Sequence, residues 1–156
     1  MTFKLQNKYI VGLVGWVGSL GEATAKQTRM RSRFITLLIA RLNETADLHK
    51  KILEKYAKKD ENGGFVTKEV NGVKNHEIPT ESMVAFQKED QELLDENFIL
   101  DITEANREMF ETMKDFVLNT KYHFGPKEED SDQVKQEKYA QANDYDKWCT
   151  AFEEAQ

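Results

Sequence analysis

Residues 23–56, ATAKQTRMRSRFITLLIARLNETADLHKKILEKY, return an apolar side chain every three or four positions: Phe34, Leu37, Leu38, Leu42, Leu48, Ile52 and Tyr56, with Thr45 completing the stripe. That spacing is the repeat of a helix that buries one face. At 1.5 Å per residue such a helix is about 50 Å long, which is long for one small domain, and a break near Asn43 is the alternative. Lys58-Lys59 suit its carbonyl end, and Asn62-Gly63-Gly64 stop it.

Downstream, Phe65 to Ile78 reads as a β-hairpin about Asn71-Gly72, the dipeptide that most readily takes two positive φ angles. A two-residue loop sets Val70 opposite Val73, Glu69 opposite Lys74 and Phe65 opposite Ile78. Pro79 stops the second strand. Thr80 is a cap for a helix whose apolar face is Met83, Phe86, Leu93 and Leu94. Phe98–Ile102 is a short β-compatible run, and Thr103 caps a helix with Asn106, Met109, Phe110, Met113, Phe116 and Val117 on one face. Gly125-Pro126 ends that unit. A polar, mobile linker over 126–136 then precedes a closing helix at 143–155, whose stripe is Tyr145, Trp148, Cys149 and Phe152.

Upstream, Thr2–Leu5 alternates as a short edge strand, and Asn7 offers a helix cap. Ile10, Leu13, Val14, Val17 and Leu20 keep helical spacing, while Gly12, Gly15, Gly18 and Gly21 recur every three residues. A glycine ridge admitting close packing, even of a second copy, competes with a distorted loop. The expected architecture is a single domain, 1–156, of α+β class and mostly helical. It has one long helix and two or three shorter ones against a small antiparallel sheet centred on the 65–78 hairpin, with additions from Phe3–Leu5 and Phe98–Ile102.

With 39% hydrophobic and 32% charged residues the chain has enough apolar side chains to fold. Its longest uncharged stretch, Tyr9–Gly21, is thirteen residues. A membrane span needs roughly 20, so no transmembrane helix is expected. The four glycines also make that stretch a poor secretory signal. A lone Cys149 suits a reducing compartment, and a cytoplasmic protein is the default.

Catalytic and metal constellations are not legible. His49, His76 and His123 fall one per element, and none pairs with Cys149 at ligand spacing. Cys149 shares a stripe with Trp148 and Phe152, so a buried, inert thiol is expected. Glu89-Asp90-Gln91-Glu92 and Asp95-Glu96 lie opposite the apolar face of their helix, as a solvated surface does. No lysine with Ser or Thr follows the last glycine, so a phosphate loop is unsupported. The expectation is a non-enzyme without cofactor or metal.

Charge is uneven. Residues 1–41 hold seven basic side chains against Glu22 alone, a balance of +6 in a chain of net −6. Four of five arginines, Arg29, Arg31, Arg33 and Arg41, fall within thirteen residues. On a helix Lys26, Arg29 and Arg33 share a face, and Arg31 points about 200° from Arg29. Lys26, Arg29, Arg31 and Arg33 are the candidate partner-binding residues. Guanidinium forks take carboxylate and phosphate alike. The chain's own carboxylates, an acidic protein partner and nucleic acid therefore compete for them, and the sequence pI of about 5.2 disfavours the last.

The chain resembles an uncharacterised family of small proteins from tailed phages and prophages of Gram-positive bacteria. The residues that carry the resemblance are Lys4-Leu5-Gln6-Asn7-Lys8-Tyr9, Ser32-Arg33-Phe34, Tyr56-Ala57, Asp60-Glu61-Asn62-Gly63 and Phe98–Ile102, then Met109-Phe110-Glu111-Thr112, Val117-Leu118-Asn119-Thr120 and Asp146-Lys147-Trp148-Cys149. The glycine-studded segment departs from that pattern. The resemblance implies a phage product made in the host bacterial cytoplasm and brings no activity with it. The leading expectation is an accessory protein that binds a protein and inhibits a host factor such as a defence system. A structural or assembly role in the virion tail or head is the first alternative, and nucleic-acid binding through the basic amino-terminal third is the second.

Overall fold

The computed structural model describes residues 1–21, 23–121 and 125–155. It is α+β and mostly helical, and its residues gather into two compact units. One joins Met1–Leu42 to the chain from Asn97 onward; the other is Asn43–Glu96. Among the described residues no helix is long and apolar enough to cross a membrane.

In the first unit β1 (Thr2–Gln6) runs into α1 (Asn7–Ser19), followed by α2 (Ala25–Tyr56), whose residues 25–42 belong here. With neither Gly nor Pro between 25 and 56, α2 continues through Asn43 without the alternative break. Its start is a capping box that sequence reading overlooked: the Thr24 N–H donates to Gln27 Oε1 at 2.9 Å, and the Gln27 N–H to Thr24 Oγ1 at 3.2 Å. The unit is completed by β4 (Asn97–Asp101), α4 (Arg107–Leu118) and α5 (Asp132–Glu153).

β1 pairs antiparallel with β4, Phe3 opposite Leu100 and Leu5 opposite Phe98. Alternation sends Phe3 and Leu5 into the core. Phe3 is its centre, edge-on to Phe34, Phe98 and Phe110 and 4.7 Å from the Phe152 ring, so one side chain ties together β1, α2, β4, α4 and α5. Trp16 of α1 stacks on Trp148 of α5 at 5.6 Å, and the Trp148 indole N–H donates to the Tyr9 carbonyl at 3.1 Å.

Asn7 caps nothing. It is the first residue of α1, only 3% exposed, and its Oδ1 accepts from Arg41 Nε at 2.8 Å, as a buried amide must. Gly12, Gly15 and Gly18 belong to a regular helix and Gly21 lies past its end, and the series is no continuous ridge. A Cβ at Gly12 would sit 3.0 Å from the Trp148 ring, whereas one at Gly15, Gly18 or Gly21 would meet nothing. Gly15→Ala is therefore expected to raise the unfolding free energy by about 0.5–1 kcal/mol, the helix-propensity difference. Gly12→Ala is expected to lower it by about 1 kcal/mol, because overpacking against a stacked indole outweighs that gain. Urea melts of the two variants give the comparison; equal shifts would show that Gly12 is not held by Trp148.

The second unit holds residues 43–56 of α2, the hairpin β2 (Thr67–Val70) and β3 (Val73–His76), and α3 (Thr80–Asp95). Val70 opposes Val73 and Glu69 opposes Lys74, with φ of 53° at Asn71 and 78° at Gly72, as expected of this turn. Phe65 does not reach Ile78: it bridges to Lys59 and lays its ring 5.0 Å from His76.

Among the described residues several expectations need correction. The hairpin is not the centre of one sheet. β2 and β3 are exposed and polar with little to bury, so the apolar strands β1 and β4 pair with each other, giving two separate two-stranded sheets. Among the described residues four shorter helices accompany α2 rather than two or three, since α1 is helical despite its glycines. The closing helix begins at Asp132 rather than near Asn143, because Ser131 caps it by accepting the Val134 N–H, which makes the latter part of the supposed linker helical. Thr80 lies inside its helix, and Thr103 forms a turn with Asn106 that precedes α4.

Candidate functional site

The basic side chains of α2 divide as their helical angles require. Arg31 turns away, and its guanidinium donates to the Leu20 carbonyl at the carboxyl end of α1, where a cation is favoured. Lys26, Arg29 and Arg33 face the start of α4. Lys26 forms an ion pair with Glu108, in the first turn of that helix. The Lys26 hydrogen bond, and then the charges of Lys26, Arg29 and Arg33, hold the Glu108 carboxyl below its ordinary value of 4.5. Neither Arg29 nor Arg33 makes a hydrogen bond or ion pair among the described residues. The site thus narrows from four residues to three, with one carboxylate of the chain's own already bound.

Beside this face lies a groove of about 440 Å³ between α2, β4 and the start of α4. Met30, Leu37, Leu100 and Met109 give it an apolar floor; Arg33 and Glu108 stand at its rim. Asn106 shapes one wall, its Nδ2 donating to the Asp101 carbonyl at 2.9 Å and its Oδ1 accepting the Thr103 N–H at 2.7 Å. Leu37, counted in the buried stripe by its spacing, is instead 37% exposed here, and Ile99 on the adjoining strand is 58% exposed.

No family model, curated protein or solved structure matches this chain.

Other clusters offer less. Among the described residues no three His, Cys, Asp or Glu side chains converge as metal ligands; His123 lies outside them. Within the second unit Glu89 and Asp90 stay partly exposed, and each has a partner. Glu89 accepts from Lys55 Nζ at 2.6 Å and from the Tyr56 hydroxyl at 2.7 Å, which hold its carboxyl below the usual range, and Asp90 meets His49. A second groove there, of about 340 Å³, mixes lysines and glutamates, so it selects for neither charge. Cys149 is half-buried, and burial pushes its thiol up, away from the nucleophilic thiolate. Burial also pushes Tyr145 up to about 12, while its hydroxyl donates to the Val117 carbonyl at 2.6 Å.

The state of Glu108 can be measured. A carboxylate whose folded value lies below its unfolded one adds stability that is complete above the unfolded value and is lost as pH falls through the folded one. Carbon-detected NMR is expected to place the Glu108 midpoint below 4.5. Lys26→Met should move it back up, and an unmoved midpoint would remove Lys26 as the principal cause.

Proposed function

We propose that this chain is a non-enzymatic phage accessory protein that acts in the host bacterial cytoplasm by binding another protein, inhibiting a host factor such as a component of a defence system. The observation that supports binding is the apolar groove of Met30, Leu37, Leu100 and Met109, edged by Arg33 and Glu108, with Lys26 and Arg29 placed toward that carboxylate. An apolar anchor with a charged rim is the usual make-up of a protein contact. Nucleic acid is a poorer fit because the groove offers aliphatic side chains where unpaired bases need aromatic faces. The phage origin and the host target rest on the sequence resemblance alone.

Affinity capture with the full chain from infected host lysate tests the proposal. A host protein retained by the wild type and absent with Arg33→Glu is the expected result. Recovery of virion proteins only, together with the chain's presence in purified particles, would replace this reading with the assembly one. A DNA or RNA band retarded in low salt and released by added salt would replace it with the nucleic-acid one.

A further inference from the structure

The mode of binding follows from the backbone of β4. The Ile102 N–H donates to the Met1 carbonyl at 2.8 Å, so in this antiparallel ladder the pairs Ile102/Met1, Leu100/Phe3 and Phe98/Leu5 bond across the sheet. The intervening Asn97, Ile99 and Asp101 must then point their N–H and C=O groups away from β1. Among the described residues the sheet has two strands, so that side of β4 is an edge. Asn106 shows where it lies: this residue of the groove wall donates to the outward carbonyl of Asp101. The edge and the groove meet at Asn106 and Leu100, and on that edge the Ile99 N–H and C=O have no side-chain or loop partner among the described residues.

Resting on the reading above, we infer that the partner is an extended acidic segment that adds as a strand to the free edge of β4. Its inward side chains set an apolar residue against Leu37, Leu100 and Met109 and a carboxylate against Arg33 and Arg29. Strand addition takes its affinity from main-chain hydrogen bonds and its specificity from the pockets under alternate side chains, and this edge supplies both. Charge selects the occupant. A second copy pairing Ile99 with Ile99 would bring two sets of Lys26, Arg29 and Arg33 toward one another, where like charges oppose association. A segment bearing carboxylates meets them as counter-ions.

The probe is a capped, strand-forming peptide with valine and glutamate on one face and threonine on the other, titrated into the isotope-labelled full chain. Binding is expected, with hydrogen exchange of the Ile99 amide slowed more than about tenfold, as for an N–H newly paired in a ladder. Lysine in place of glutamate should weaken binding by more than about tenfold, and N-methylation of the peptide backbone at the paired positions should abolish it. Absence of binding, an Ile99 amide left unprotected in the complex, or an N-methylated peptide that still binds would each overturn the inference. So would an Ile99 amide protected in the free protein together with a doubled mass on sedimentation, which would assign the edge to a second copy. Ile99→Pro separates this inference from the broader reading, because the lost N–H points away from β1 and an edge strand tolerates proline there. A host protein captured equally by that variant would leave the reading standing and sink strand addition, whereas a wild type that captures no host protein sinks the reading itself.

Discussion

Phe3→Ala is expected to lower the unfolding free energy by about 3–5 kcal/mol, the range for deleting a fully buried phenylalanine. Phe3 is wholly buried and touches aromatic rings from four other elements, so the cavity opens among side chains that hold one another and cannot collapse into it. Both tryptophans, Trp16 and Trp148, lie in the same compact unit as Phe3, and their fluorescence during guanidinium unfolding reports it directly. Phe65→Ala is the control. That ring is 37% exposed beside an exposed hairpin, and its removal should cost less than about 1 kcal/mol. Equal losses at the two positions would contradict a core centred on Phe3.

The second large effect is on binding. Arg29→Glu combined with Arg33→Glu leaves Lys26 as the one cation around Glu108, on a face that then carries three carboxylates. Like charges placed across a contact cost several kcal/mol, so capture of an acidic partner should fall by at least about a hundredfold. The fold should be unaffected, since neither arginine has a hydrogen bond among the described residues to lose. The Glu108 midpoint should rise in the same variant as two of its favourable charges become repulsive. Undiminished capture with a shifted Glu108 would mean that the partner binds elsewhere.

What the amino-acid pattern disclosed was local. Asn71-Gly72 dictated the hairpin's register, and alternation in Thr2–Leu5 marked a strand with Phe3 and Leu5 inward. It could not name that strand's neighbour. A period of two says which face is buried but not which edge is shared, and β4 is nearly a hundred residues away. The candidate site was half legible for the same reason. Helical angles separated Arg31 from Lys26, Arg29 and Arg33, but the carboxylate they meet, Glu108, comes from a distant helix. Leu37 and Leu38 both fit the apolar stripe, and only the curvature of the packed core decides that Leu38 is covered while Leu37 borders a groove. The pattern could place Glu89 on the surface but could not name its partners, Lys55 and Tyr56, which belong to another element.

The antiparallel pair of β1 and β4 also sets an order of events during synthesis. Every contact within Asn43–Glu96 is available once that contiguous stretch has left the ribosome. The residues of β1, Thr2–Gln6, must wait for Asn97–Asp101 before they have a strand partner. The sheet's closure is therefore a high-contact-order step that follows the local units. During translation β1 is made long before the strand that pairs with it.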